Sequence, residues 1–198
     1  MHSVTILGAT GSIGLSTLDV ISQHPEKYSI YALTGCSQLD KLAQQSVQYN
    51  AKYAVVTDES SAVQLRILIQ DLKGSTEVMF GKDALSEVAS NQQVDIVMAA
   101  IVGAAGLLPT LSAVEAGKKV LLANKESLVM AGSIFMTAVK HNGATLIPID
   151  SEHNAIFQCL PHTFNDKSRS SIKKLILSAS GGPFRTWDTA NIAAATPA

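Results

Sequence analysis

Short β-branched and apolar runs alternate with longer amphipathic stretches along most of the chain. Val4–Leu7, Ser29–Leu33, Ala54–Val56, Asp95–Ala100, Lys119–Leu122, Ala144–Ile149 and Lys174–Leu177 have the length and composition of strands. Between them, Ile13–Gln23, Leu39–Tyr49, Ser60–Leu72, Leu107–Ala116 and Ser127–His141 carry apolar residues at helical spacing, bounded by Gly, Asn or Pro. The runs at 96–101 and 119–123 have no polar alternation, as expected of strands covered on both faces. Strand–helix alternation of this kind predicts an α/β fold, a mostly parallel sheet with helices on both faces. The pattern weakens after residue 160: residues 162–173 read as an exposed linker, and one further strand is expected beyond it.

Composition narrows the functional classes. With 46% hydrophobic and 16% charged residues in 198, the chain can bury a large core and is not disordered. Lys plus Arg (15) nearly balances Asp plus Glu (16), so no field draws nucleic acid or an anionic membrane. The two cysteines, Cys36 and Cys159, build neither a disulfide framework nor a four-cysteine metal site, which points to a reducing compartment. No Lys or Arg precedes the first apolar run, so the start does not read as a secretory signal. Nineteen uncharged residues lie between Asp95 and Glu115, about the length that spans a bilayer. Gly103, Gly106, Pro109, Thr110 and Ser112 interrupt them, so a buried strand followed by a helix is expected instead of a membrane span.

The first strand runs straight into Gly8-Ala-Thr-Gly11-Ser-Ile-Gly14, and a helix begins inside that motif. This is the strand–turn–helix context of a Rossmann-like dinucleotide site, with G-x-x-G-x-x-G in place of G-x-G-x-x-G. Glycines let backbone approach a pyrophosphate, and the N–H groups and dipole of the helix start favour its charge. Thr10 and Ser12 can add hydroxyl donors. A Gly-rich turn that binds nothing is the bland alternative. Thr34-Gly-Cys-Ser-Gln38, where a carboxylate would hold a ribose 2′-hydroxyl, contains none, so the sequence leans to NADP; no arginine stands there to clamp a 2′-phosphate.

Three further clusters follow strands. They are Asn124-Lys125-Glu126, Asp150-Ser151-Glu152-His153 and Ser180-Gly-Gly-Pro183. In extended backbone Asp150 and Glu152 would project to one side, and two carboxylates with a hydroxyl suit Mg²⁺ or Mn²⁺ better than zinc. Equally, Asp150 or Ser151 could be a helix N-cap with acidic residues in the first turn. Lys125 beside Glu126 reads either as functional or as an exposed helix-start pair. Ser180-Gly-Gly-Pro183 is a turn whose N–H groups could take an anion. His153, one residue past Glu152 on a helix, is expected to face elsewhere.

Taken together, these motifs resemble one family. Gly8-Ala-Thr-Gly-Ser-Ile-Gly-Leu-Ser-Thr-Leu-Asp19, Ala99-Ala-Ile-Val-Gly-Ala-Ala-Gly-Leu-Leu-Pro-Thr110, Leu122-Ala-Asn-Lys-Glu-Ser-Leu-Val129, Asp150-Ser-Glu-His-Asn-Ala-Ile-Phe-Gln158 and Ser180-Gly-Gly-Pro-Phe-Arg185 occur in order. The chain resembles the N-terminal part of the 1-deoxy-D-xylulose 5-phosphate reductoisomerases over essentially its whole length. The resemblance implies an NADPH-binding Rossmann-like domain over 1–149 and the start of an α/β catalytic domain over 150–198. It implies rearrangement of 1-deoxy-D-xylulose 5-phosphate and NADPH reduction to 2-C-methyl-D-erythritol 4-phosphate, a step of the non-mevalonate route to isoprenoids. Thr10, Gly11, Ser12, Ile13, Asn124 and Glu126 would bind NADPH; Lys125, Ser151, Glu152 and Ser180 would contact the phosphosugar. Asp150 and Glu152 would ligate Mg²⁺ or Mn²⁺, and Lys125, Asp150 and Glu152 would carry the catalysis. A homodimer of the full-length protein is implied, in bacterial cytoplasm or, for a processed chain, a plastid, with no nucleic-acid or membrane partner.

Two departures from the family pattern stand out. Cys36, Ser37 and Gln38 replace the Gly, basic residue and Asn that the family often carries at the adenosine ribose. Family members also run to about twice this length, so the expectation is an N-terminal piece with half a metal site and negligible turnover. Two other readings compete. One is a dinucleotide-binding module that catalyses nothing and has no use for a metal site. The other is a semialdehyde-dehydrogenase-like reductase, which would need a nucleophilic cysteine that neither Cys36 nor Cys159 supplies convincingly.

Overall fold

The computed structural model describes residues 1–160, 172–177 and 182–196. Its strands are β1 (His2–Leu7), β2 (Tyr28–Thr34), β3 (Tyr53–Val56), β4 (Glu77–Phe80), β5 (Ile96–Ala99), β6 (Lys119–Leu122) and β7 (Thr145–Pro148). They form one sheet of order β4-β3-β2-β1-β5-β6-β7, parallel at every pairing. The helices between them are α1 (Ser12–Ser22), α2 (Leu39–Gln48), α3 (Glu59–Asp71), α4 (Lys82–Ser90), α5 (Leu107–Glu115) and α6 (Glu126–Asn142).

Alternation along the strands divides the core into two layers. Ile96 and Met98 of β5 pack with Val4, Ile6, Leu18 and Leu42 on the face covered by α1, α2 and α3. Val97 and Ala99, one residue out of phase, pack with Leu7, Val88, Val114 and Phe135 on the face covered by α4, α5 and α6. Both faces are dry, which explains the uniformly apolar sequence of β5 and the fully buried Thr5, whose hydroxyl donates to Val88 O at 2.8 Å. Each fully buried Leu or Val of these layers contributes about 1.5–3 kcal/mol of burial.

The chain winds outward from β1 to β4, then crosses back to β5 and winds the other way. Between β1 and β5 the winding direction reverses, and open parallel sheets bind ligands beyond the strand C-termini at such a point. Register makes this edge level: Leu7 pairs with Ala99, and Ala100 N donates to Leu7 O at 2.9 Å.

The suspect segment between Asp95 and Glu115 is β5, a 3₁₀ turn (Ala104–Gly106) and α5. Among the described residues no helix is long and apolar enough to cross a membrane. Two elements go beyond the sequence expectation. β4 and α4 close one edge of the sheet, and their pattern is weak because β4 is a four-residue edge strand in which Val78 alone is buried. One expectation is corrected: residues 172–177 form no strand. Leu175, Ile176 and Leu177 are 61%, 75% and 53% exposed, and no described strand pairs with them. Apolar, β-branched composition alone does not make a strand without a partner ladder.

The chain divides into two compact units, Met1–Ile149 and Asp150–Ala198. The first holds the whole sheet and α1 to α6. Within the second, α7 (Ser151–Cys159), a 3₁₀ turn (Gly182–Phe184) and α8 (Thr189–Ile192) are formed.

Candidate functional site

At the end of β1 the chain turns through Gly8 with φ +87°, a left-handed conformation in which a side chain would also meet Ala100 O at 2.8 Å. Gly8 N donates to Thr34 Oγ1 and Ala9 N to Thr34 O, both at 2.8 Å, which ties the turn to the end of β2. Gly14, buried in the first turn of α1, lets helix and turn touch: a Cβ there would lie 2.4 Å from Gly8 O and 2.5 Å from Ala9 O. A Cβ on Gly11, by contrast, would meet only Gly8 O, at 3.6 Å. Gly8 and Gly14 therefore serve the fold, and Gly11 is the position left open. Gly11, Ser12 and Ile13 are exposed, and the first N–H groups of a helix have no partner within it.

The carbonyl side of the same turn is held from α2. Lys41 Nζ donates to Thr10 O at 3.0 Å, and Gln45 Nε2 reaches Ala9 O at 3.4 Å. With these carbonyls engaged from α2, the N–H groups at the start of α1 are left for an anion.

Beyond β6, Ala123 N and Asn124 N both donate to Ala99 O, at 3.0 and 3.1 Å. Asn124 is 2% exposed. Its side-chain amide donates to Ile101 O and to Gly103 O (3.0 Å), and its Oδ1 accepts Ser127 N at 3.2 Å. The residue thus joins the β5–α5 loop to the first turn of α6 and caps that helix from inside. Lys125 is exposed at the helix start, with Glu126 half-buried beside it.

Past β2, Cys36 is exposed, with Sγ 3.8 Å from Thr57 Oγ1. Thr57 in turn donates to Asp58, the N-cap of α3. Hydrogen bonds from Ser60 Oγ, Ser61 N, Ser61 Oγ and Thr57 hold the Asp58 carboxyl well below the usual carboxylate range. Beyond β3 and β4 an apolar cleft of about 430 Å³ is lined by Thr57, Gly81, Leu85, Leu108 and Pro109, with Lys82 at its edge.

In the second unit Asp150 is the N-cap of α7, and Asn154 N donates to its carbonyl at 2.9 Å. Glu152 lies in the first turn, and His153 Nδ1 is hydrogen-bonded to Asp150 Oδ2. Ligand atoms of Asp150, Glu152 and His153 all lie within 4.8 Å of one another. Two carboxylates and an imidazole so gathered fit a divalent cation with a taste for oxygen. Asp150 stands at the N-cap position of α7 without a side-chain capping hydrogen bond, and its carboxylate joins the cluster.

The sequence model described as 1-deoxy-D-xylulose 5-phosphate reductoisomerase matches residues 4–132, and that described as its C-terminal domain matches residues 146–198. The chain belongs to the 1-deoxy-D-xylulose 5-phosphate reductoisomerase family. It is 55% identical over 197 residues to the reductoisomerase of Saccharophagus degradans and 57% identical over 198 residues to that of Pseudomonas putida, covering all of this chain and 50% of each. It therefore spans about half the length of the curated relatives it matches. The Zymomonas mobilis reductoisomerase in complex with NADPH superposes with a TM-score of 0.85 at 48% identity, over 97% of this chain and 49% of that one. A reductoisomerase in complex with NADPH, fosmidomycin and magnesium superposes with a TM-score of 0.86 at 48% identity, over 99% and 49%.

Against the residues that family resemblance singles out, the structure brings Thr10, Gly11, Ser12 and Ile13 together at the start of α1. It places Asn124, Lys125 and Glu126 at the start of α6, and Asp150, Ser151 and Glu152 at the start of α7. Ser180 lies outside the described residues. His153 does not face away from the carboxylates as expected: three residues along a helix from Asp150, it folds back onto that cap. The parts that Thr34, Lys41 and Gly106 play here were not legible in the sequence. Their partners lie 26, 31 and 18 residues away, at Gly8, Thr10 and Asn124.

Proposed function

We propose that this chain carries the dinucleotide- and metal-binding parts of a reductoisomerase that converts 1-deoxy-D-xylulose 5-phosphate to 2-C-methyl-D-erythritol 4-phosphate with NADPH and Mg²⁺ or Mn²⁺. The observation that carries the reading is the Gly8–Gly14 turn at the point where the sheet reverses, its glycines fitted to backbone so closely that Gly8 and Gly14 admit no side chain. The family membership and the complexes of its relatives supply the chemistry.

In this reading Thr10, Gly11, Ser12 and Ile13 receive the pyrophosphate, and Glu126 lies further along the cofactor's path. Asn124 serves through its loop: with both amide protons spent on Ile101 and Gly103, it holds 101–106 beside the cofactor. Lys125 places a positive charge where a substrate oxygen becomes negative. Ser151, Glu152 and Ser180 add substrate contacts. Asp150 and Glu152 hold the divalent cation, with His153 fixing the Asp150 carboxylate. When bound, that cation supplies Lewis-acid polarisation of the substrate carbonyl, and the nicotinamide supplies the hydride. The full-length protein would work as a homodimer in bacterial cytoplasm.

Fluorescence titration with NADPH and NADH, alongside Mn²⁺ binding followed by electron paramagnetic resonance, tests this. Preferential NADPH binding, and Mn²⁺ binding that Asp150→Asn abolishes, is the expected result. Dinucleotide binding without Mn²⁺ binding would favour a non-catalytic module, and binding of neither dinucleotide would overturn the reading.

A further inference from the structure

NADPH differs from NADH by one phosphate on the adenosine ribose, and a site that prefers NADPH needs a positive charge there. The loop after β2, which would face that ribose, offers none: it reads Gly35-Cys36-Ser37-Gln38. On the same edge of the sheet stand the carboxylates of Asp40, exposed on the first turn of α2, and Asp58. The Asp58 oxygens are engaged by Ser60, Ser61 and Thr57, yet its charge remains, so the surroundings of the loop lean negative.

One cation is tied to the glycine turn itself. Lys27, Lys52 and Lys118, just before β2, β3 and β6, and Lys119, the first residue of β6, stand at the opposite end of the sheet. Arg66 donates to Val78 O, and Lys82 opens α4, two strands away from β2. Lys41, in the first turn of α2, is half-buried, and its ammonium is held by Thr10 O at 3.0 Å. That bond fixes the charge at the turn that would take the pyrophosphate, on the helix that begins directly after the loop that would take the adenosine ribose. A lysine ammonium has three donors, and Thr10 O uses one.

We infer that Lys41 is the specificity-determining residue for the cofactor, its ammonium supplying the charge for the ribose 2′-phosphate that the Cys36–Gln38 loop lacks. The inference rests on the reading of the turn as an NADPH site. Anchoring to Thr10 O keeps the side chain ordered before the cofactor arrives, so little rotamer freedom is lost on binding. The coupling also links phosphate recognition to the turn itself, since both use the same lysine.

The test is a titration of the chain with NADPH and NADH, in wild type and in Lys41→Gln, Lys41→Met and Lys41→Arg, with circular dichroism to confirm folding. Lys41→Gln keeps a donor for Thr10 O and loses the charge. The expected result is NADPH affinity lower by about tenfold or more in Gln and Met, NADH affinity changed less than about twofold, and near-normal NADPH affinity in Arg. The NADPH affinity of the wild type should also fall with salt more steeply than that of Lys41→Gln. Equal losses for both dinucleotides, or an unchanged preference in Lys41→Gln, would overturn the inference and leave Lys41 as a structural prop for the turn. Wild type that binds neither dinucleotide would overturn the site reading along with it.

Discussion

Gly106 leaves the space that Asn124 fills: a Cβ on Gly106 would stand 2.3 Å from Asn124 Nδ2 and 2.6 Å from Ile101 O. The small residue lets the β5–α5 loop close over the amide, and the amide then bonds two of that loop's carbonyls and caps α6. Asn124→Ala leaves Ile101 O, Gly103 O and Ser127 N without these partners at a buried position. A loss of about 2–4 kcal/mol in urea unfolding is expected. Gly106→Ala should also destabilise, but less in the Asn124→Ala background, where part of the obstruction is gone. A double-mutant cycle should show coupling above about 0.5 kcal/mol; strict additivity would mean the two residues act separately.

The glycines of the β1–α1 turn should separate folding from binding. Gly14→Ala pushes a methyl into the Gly8 and Ala9 carbonyls, so the helix must shift, and both stability and dinucleotide affinity should fall. Gly11→Ala meets only Gly8 O at 3.6 Å and should leave the thermal midpoint nearly unchanged, while weakening NADPH binding by blocking close approach to the backbone. Parallel melting and titration of the two variants checks this. Loss of stability in Gly11→Ala would place that residue with the structural glycines.

How much of this could be read from the chain depends on the range of each interaction. The turn Gly8–Gly14 was legible because its glycine requirement is local, and β5 and β6 because dry strands are apolar throughout. Edge strand β4 was not, since one buried side chain makes no pattern. Lys174–Leu177 carries a strand's composition but pairs with no described strand, and composition cannot show pairing. Asp150 and Glu152 were visible as a pair, whereas the return of His153 onto Asp150 needed the helix that starts at Ser151. Asn124 was visible as a polar residue after a strand. Its engagement with Ile101 and Gly103, 23 and 21 residues earlier, depends on β5 and β6 lying side by side.

Asp58 should make stability depend on acid. Its hydrogen bonds from Ser60, Ser61 and Thr57 lower its pKa in the folded state below the value of the unfolded chain. A group lowered in this way stabilises fully above the unfolded-state value, near 4, and that contribution is lost as pH falls toward and through the folded-state value. Asp58→Asn removes the charge and should therefore lower the unfolding midpoint more at pH 7 than at pH 3. Thermal melts of both proteins across that range measure the difference. A gap that stays constant with pH would mean that the cap acts through its geometry alone.

The cluster at the start of α7 should bind Mn²⁺ in a graded way. Asp150 and Glu152 offer the oxygen donors, so Asp150→Asn and Glu152→Gln should each abolish measurable binding. His153 has two available parts in that cluster. As a partner of Asp150 through Nδ1, it orients the carboxylate, and His153→Gln, which can still donate to Asp150, should keep affinity within about tenfold. As a ligand in its own right it would be irreplaceable by an amide, and binding would be lost as completely as in Asp150→Asn. Electron paramagnetic resonance of Mn²⁺ separates the two roles, because nitrogen ligation by imidazole leaves hyperfine couplings that a carboxylate does not. We expect a retained signal with no such coupling in His153→Gln and in wild type alike, which assigns the metal to the carboxylates and the imidazole to holding one of them in place.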